Sequence, residues 1–327
     1  VPRHHLIPQM YLRNFANERR MLRVADRDNL TRTFLSTVNR ACNEVGFYDW
    51  RPGLSAEEVD DPKVLNPSHI EGLLSVFEGR ATGPISRILT SGRPPRTAQD
   101  RYDIVHFVAL QAARGRRFRE DLSQVATWAA RRHARESDDV AEWLRKRGDS
   151  HTPHDVDAFF DRVLGPDGPT LQPDKTFAIQ QALAFAYRQL APRLWTRPWH
   201  VVRFNEPALL TSDEPVVAWH PDDEPVTAVN APILWLPLGR QHLLEIHGDD
   251  AQGPDATRVA DRSEASRVNA LVATQAERWI LHHPGDDALS SALTVGPRTR
   301  WSEEILDFRV EGDTVRELRR VRRLPID

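Results

Sequence analysis

Cysteine is almost absent: Cys42 is the single one among 327 residues. An intrachain disulfide is therefore excluded, and with no signal peptide in view the expectation is a reducing, cytoplasmic setting. Lysine is nearly as scarce, with Lys63, Lys146 and Lys175 alone among 44 basic residues. Positive charge is carried by arginine, whose planar fork grips carboxylate or phosphate bidentately where lysine cannot. No apolar run approaches ~20 residues, so no transmembrane helix and no membrane partner are expected. A net charge of −3 gives no global pull toward nucleic acid. The chain also lacks a Gly-rich phosphate loop, a dinucleotide fingerprint, a cysteine-rich zinc spacing and a Gly-x-Ser-x-Gly elbow.

What remains is long enough to bury about 75% of the surface its unfolded form would expose, so a core alone can hold it. Short strands are expected at residues 21–24 and 31–35, around a turn-rich Asp26-Arg27-Asp28-Asn29. Helices follow at 70–89, with Ser68 and Glu71 spelling a capping box, and from Thr97 to about residue 135. Further helices are expected at 138–146, 154–164 and 175–190. The pattern changes after Trp195. Strands are read at 199–204, 208–210, 216–219, 234–236 and 243–246, then a helix over 258–276, a strand at 279–282 and a hairpin around Gly312-Asp313. A small β portion (1–67), a helical block (68–195) and a mixed β portion (196–327) argue α+β, read as one integrated unit.

The densest chemistry opens the chain: His4-His5-Leu6-Ile7-Pro8, then Tyr11 and Phe15. Pro8 suits the first position of a short helix, and the residue before a proline is pushed to β or polyproline geometry, so His4 to Ile7 should enter extended. Neighbouring strand side chains point to opposite faces. One histidine should face a pocket and the other should hydrogen-bond the protein; the motif reads either as a ligand or general base or as a capping or packing element. His282-His283 and His247 lack a recognised ligand spacing and read as surface residues.

Two other groups carry polar residues where an apolar run would predict none. Asp213 sits in Thr-Ser-Asp-Glu-Pro after an apolar stretch. That placement suits a ligand or base beside the Ser212 hydroxyl, or equally a turn whose carboxylate bonds nearby backbone N–H groups. Phe107, Gln111 and Arg114 recur on one helix face at i, i+4 and i+7. They read either as an anion clamp or as a buried pair in which Arg114 neutralises Glu78 or Asp213.

These pieces together resemble the mainly bacterial family known as domain of unknown function 4238. The resemblance rests on His4-His5-x-x-Pro8-x-x-Tyr11-Leu12-x-x-Phe15, Phe47-Tyr48, Phe77-Glu78 and residues 107–114 with Gln111 and Arg114. It continues through Leu210-Thr211-Ser212-Asp213-Glu214-Pro215-Val216, Leu236-Pro237-Leu238 and Val268-Asn269-Ala270. Glu214 stands where the pattern has asparagine, and Gly239 where it has serine. The resemblance implies no particular activity.

The residues themselves suggest a metal-dependent hydrolase acting on a phosphate-bearing substrate, with nucleic acid among the candidates. His4, His5, Asp213 and Glu78 would be catalytic, with His5 and Asp213 holding Mg²⁺, Mn²⁺ or Zn²⁺. Arg114, Gln111, Tyr11 and Ser212 would bind substrate. The other reading is a non-catalytic module that recognises a small anionic ligand with the same pocket.

Overall fold

The opening strand ends at His5: residues 6 and 7 lie in a bend, and Pro8 takes the N-cap of the first helix, not its first helical position as the sequence suggests. β1 (Arg3–His5) runs into Pro8, which holds an extended φ/ψ of −60°/136° before α1 (Gln9–Leu12). The computed structural model describes residues 3–325 except 52, 54–57, 59, 137–138, 149–151, 153–154, 156–157, 160–161, 163–169, 223–225, 290–293 and 312–313. β2 (Met21–Asp26) and β3 (Asn29–Thr37) make the antiparallel hairpin that the turn residues predict. β4 (Asn43–Val45) returns antiparallel to β1, with His4 opposite Glu44.

The helical block departs from the sequence reading in two ways that matter for the site. α2 (His69–Ser91) runs unbroken through Pro84, but Ser68 makes no side-chain cap bond. Glu71 is not a capping-box partner; its carboxylate turns to the backbone N–H of His5. The single helix expected after Thr97 is two: α3 (Ala98–Ala113), capped by Thr97 Oγ1 at 3.1 Å from the Asp100 N–H, and α4 (Arg116–Glu136). The break falls at Arg114-Gly115, where a Cβ on Gly115 would lie 2.1 Å from Glu214 Oε1. α5 (Asp139–Arg147) and α6 (Lys175–Phe185) follow, the latter passing through a π-helical turn into α7 (Ala191–Thr196). The helix expected over 154–164 falls largely outside the described residues.

Next come β5 (Trp199–Phe204), the two-residue β6 (Thr211–Ser212), β7 (Val217–Trp219), β8 (Ile233–Gly239) and β9 (His242–His247). Residues 208–210 are not a strand, whereas β10 (Ala256–Ala260) occupies the start of the expected helix, so α8 spans only Arg262–Gln275. β11 (Trp279–His282) and the hairpin β12 (Thr299–Glu311) with β13 (Thr314–Pro325) complete the chain. The main sheet has the order β10-β5-β9-β8-β7, and a second has β3-β2-β11-β6. Helices and mixed sheets together make the fold α+β.

Period-2 alternation buries both faces of the main sheet. Trp199, Val201, Leu234, Leu236, Leu244 and Ile246 belong to one core cluster with buried residues of α2, α3 and α6. Their neighbours Val202, Trp235 and Leu243 join Ala265, Val268 and Val272 of α8 on the other face. The first cluster runs from Leu6 to Leu281, so the N-terminal motif and β11 share one core. Each fully buried Leu, Ile or Phe adds about 1.5–3 kcal/mol, which fixes where the polar residues among them must sit. No helix among the described residues is long and apolar enough to cross a membrane.

Candidate functional site

The inner stripe of α2 contains Leu74, Ala81, Ile85 and Ile88, all buried. At the same i+3/i+4 spacing it carries Glu71 and Glu78, so two carboxylates are aimed where an apolar face would be. On α3, Ile104, Phe107, Val108 and Gln111 are buried, and Arg114 follows at its C-terminus. Pairing with β4 sets His4 inward, 1% exposed, while His5 stays half-buried at the surface.

Four polar side chains meet here. Arg114, 2% exposed, donates from Nη1 to Glu78 Oε1 at 2.6 Å. Gln111, with its carbonyl turned to the guanidinium, accepts from Arg114 Nε at 3.1 Å and Nη2 at 2.9 Å. Gln111 thus holds Arg114, and Arg114 holds Glu78. The sequence reading left clamp and buried pair open; the geometry is that of the buried pair. Glu71 is half-buried, and its carboxyl is pushed up by burial and by Glu78, against the pull of Arg114 and the His5 backbone N–H.

His4 decides what this cluster can do. Its ring stacks on Tyr48 with centroids 5.5 Å apart, and the Tyr48 backbone N–H donates to its Nδ1 at 2.7 Å. A backbone N–H can only donate, so Nδ1 is unprotonated and the neutral ring carries its proton on Nε2. That Nε2–H is buried and has no partner. Buried polar groups are nearly always satisfied, and an exception invites a ligand. His4 therefore offers a donor, and in this tautomer its Nε2 is closed to a metal.

The other expected residues are engaged by the protein itself. His5 Nε2 lies 3.0 Å from Gln9 Nε2 and 3.3 Å from Asn39 O. Tyr11 donates to Pro237 O at 2.6 Å and so accepts from Thr211 Oγ1 at 2.8 Å, which joins the opening motif to the Asp213 turn. Ser212 Oγ donates to Glu214 O at 2.9 Å. Asp213 accepts three backbone N–H bonds, from Glu277 and Arg278 at 2.9 Å and from Trp279 at 3.1 Å. Burial outweighs those bonds and pushes its carboxyl up to about 6. Glu214 beside it is buried too; burial and then Asp213 push it up to about 8. His282 is buried and not a surface residue, because β11 lies between β2 and β6.

Glu71 is the site residue that sequence reasoning missed. Its signal is the glutamate pair on the apolar stripe of α2, masked by the apparent capping box with Ser68.

An α+β chain with both sheet faces covered and a buried His–Glu–Arg cluster defines a class of architecture, not an activity. Residues 3–286 match the model of a family described as protein of unknown function (DUF4238), and the chain belongs to that family. No curated protein and no solved structure matches it.

Proposed function

We propose that the chain is a hydrolase of phosphate-bearing substrates, working at the cluster of His4, Glu71 and Glu78. The observation that carries this reading is the buried, unpartnered Nε2–H of His4 beside Glu71, which in turn neighbours Glu78. A phosphate cannot approach two glutamates directly. Glu71 and Glu78 would hold a divalent cation, which when bound would supply the positive charge that polarises a phosphate and its attacking water. Mg²⁺ or Mn²⁺ suits an all-carboxylate donor set, since such ions take one or two carboxylates and complete their shell with water and substrate oxygens. His4 would then donate to a phosphate or leaving-group oxygen. Arg114 and Gln111 hold Glu78 in orientation, as outer-shell partners do. His5 and Asp213 fall outside this version of the site.

The test uses melting temperature and cleavage of bis(p-nitrophenyl) phosphate and single-stranded nucleic acid. Mg²⁺ or Mn²⁺ should raise the melting temperature and support cleavage, and Glu71→Gln should lose both. His4→Ala should keep the metal response and lose ~10²-fold or more in turnover, the usual range for a proton donor. Metal stabilisation without cleavage of any substrate would favour the module that binds a phosphate-bearing ligand. Neither stabilisation nor cleavage would remove the metallohydrolase reading.

A further inference from the structure

A second cluster lies on the main sheet, away from α2. His200 on β5 is the cross-strand partner of Glu245 on β9, and His247 follows two residues along β9. Period 2 puts all three on one face. This is the face that α8 covers, because Glu245 is in register with Trp235 and Trp235 packs in the α8 core cluster. One ligand atom from each residue lies within 4.8 Å of the others, and this is the single three-donor group of that kind among the described residues. His200 Nδ1 and His247 Nε2 are 2.9 Å apart, and His247 Nε2 is 3.9 Å from Glu245 Oε2.

We propose that His200, His247 and Glu245 form a binding site for Zn²⁺ or a similar imidazole-seeking transition metal. Tetrahedral zinc with bonds of ~2.0–2.1 Å separates its ligand atoms by roughly 3.3 Å, between the two distances found here. Glu245 is already oriented: its Oε1 accepts from Trp235 Nε1 at 2.9 Å and from Arg258 Nη2 at 2.7 Å, and its Oε2 accepts from Arg258 Nε at 3.1 Å, which leaves one lone pair of Oε2 for the ion. Such outer-shell bonds fix a ligating carboxylate. The Arg258 charge near an incoming cation is offset by its second partner, Glu264. Glu245 is 3% exposed and His247 21%, so the carboxylate forms the floor and the imidazoles the rim. Three protein donors leave a fourth position for water or a substrate oxygen, the composition of zinc sites that are not purely structural. The donors differ in kind from those of the proposed Mg²⁺ or Mn²⁺ site, so the two should be separable by metal.

The experiment uses the tag-free full chain, stripped by chelator and titrated with Zn²⁺ by calorimetry. One equivalent should bind, and His200→Ala and His247→Ala should each weaken it by at least an order of magnitude. Glu71→Gln should leave it unchanged, which distinguishes this site from the α2 carboxylates. Co²⁺ added to the unmutated chain should give the intense visible bands of a four-coordinate ion, a readout that does not depend on how any variant folds. No Zn²⁺ bound, binding untouched by both histidine variants, or an octahedral Co²⁺ spectrum would each overturn the proposal.

Discussion

The Asp213 turn and the His4 cluster are both polar groups sunk in one apolar core, and they differ in how their hydrogen bonds are closed. Asp213 accepts from three consecutive backbone N–H groups, and Ser212 and Glu214 close a local turn beside it. The His4 cluster has Arg114, Gln111 and Glu78 tied together, yet His4 Nε2 has no partner and Glu71 remains half-buried. A carboxylate at a strand end is thus compatible with pure architecture. An open donor beside carboxylates is what a binding site leaves over.

The sharpest way to break this contrast is Asp213→Ala. Three backbone N–H groups lose their acceptor at once, and each such loss costs ~1–3 kcal/mol when water cannot replace it. We expect a loss of about 3–9 kcal/mol in urea denaturation. A stable Asp213→Ala protein that loses ligand or metal would move Asp213 into the site and collapse the distinction.

Arg114 tests the other side. Removing it strands Glu78 in a largely buried position, so Arg114→Ala should cost about 3–5 kcal/mol. Arg114→Lys keeps the charge but cannot bond Glu78 and both Gln111 contacts in one plane. It should therefore recover part of that loss while turnover stays depressed, if Glu78 must be held in orientation. Unaltered stability in Arg114→Ala would exclude the buried-pair geometry.

The pattern of what the sequence makes legible follows from these energies. The β2–β3 hairpin and β5 were readable because alternation and turn residues are local, and strand and turn chemistry acts over a few residues. The division of the long helix at Gly115 was not, because its neighbour Glu214 lies 99 positions away in the numbering of the chain. Likewise Ser68-x-x-Glu71 spells a local capping box, but the His5 N–H competes for the same carboxylate from another segment. The sequence puts Arg258 at the start of a helix. Parallel pairing with β5 drew it into β10 instead. His200 and Glu245 escaped notice since cross-strand register joins residues 45 apart. In each miss a long-range partner overrode a local preference.

The smallest expected effect is a slope, and it concerns Glu214. Its folded carboxyl is pushed up to about 8, first by burial and then by Asp213, against the Arg117 N–H at 3.1 Å. The unfolded carboxyl titrates near ~4.3. Between those values the folded protein holds a proton that the unfolded chain has lost, so stability falls as pH rises through this window and levels off above about 8. The slope approaches ~1.4 kcal/mol per pH unit at most. Buried His282 contributes the opposite sign, because burial holds its folded imidazole below the ordinary range and the unfolded ring gains the proton first as pH falls. Glu214→Gln separates the two, since its Oε1 can still accept the Arg117 N–H while that side chain no longer titrates; Asp213 titrates in both proteins, near the lower end of the range. Melting temperatures of both proteins from pH 6 to 8 should diverge, with the unmutated chain losing stability toward pH 8 relative to Glu214→Gln. Parallel curves would mean that Glu214 is ionised throughout. The Asp213 turn would then hold a stable charge of its own, and hydrogen-bond closure would no longer set it apart from the His4 cluster.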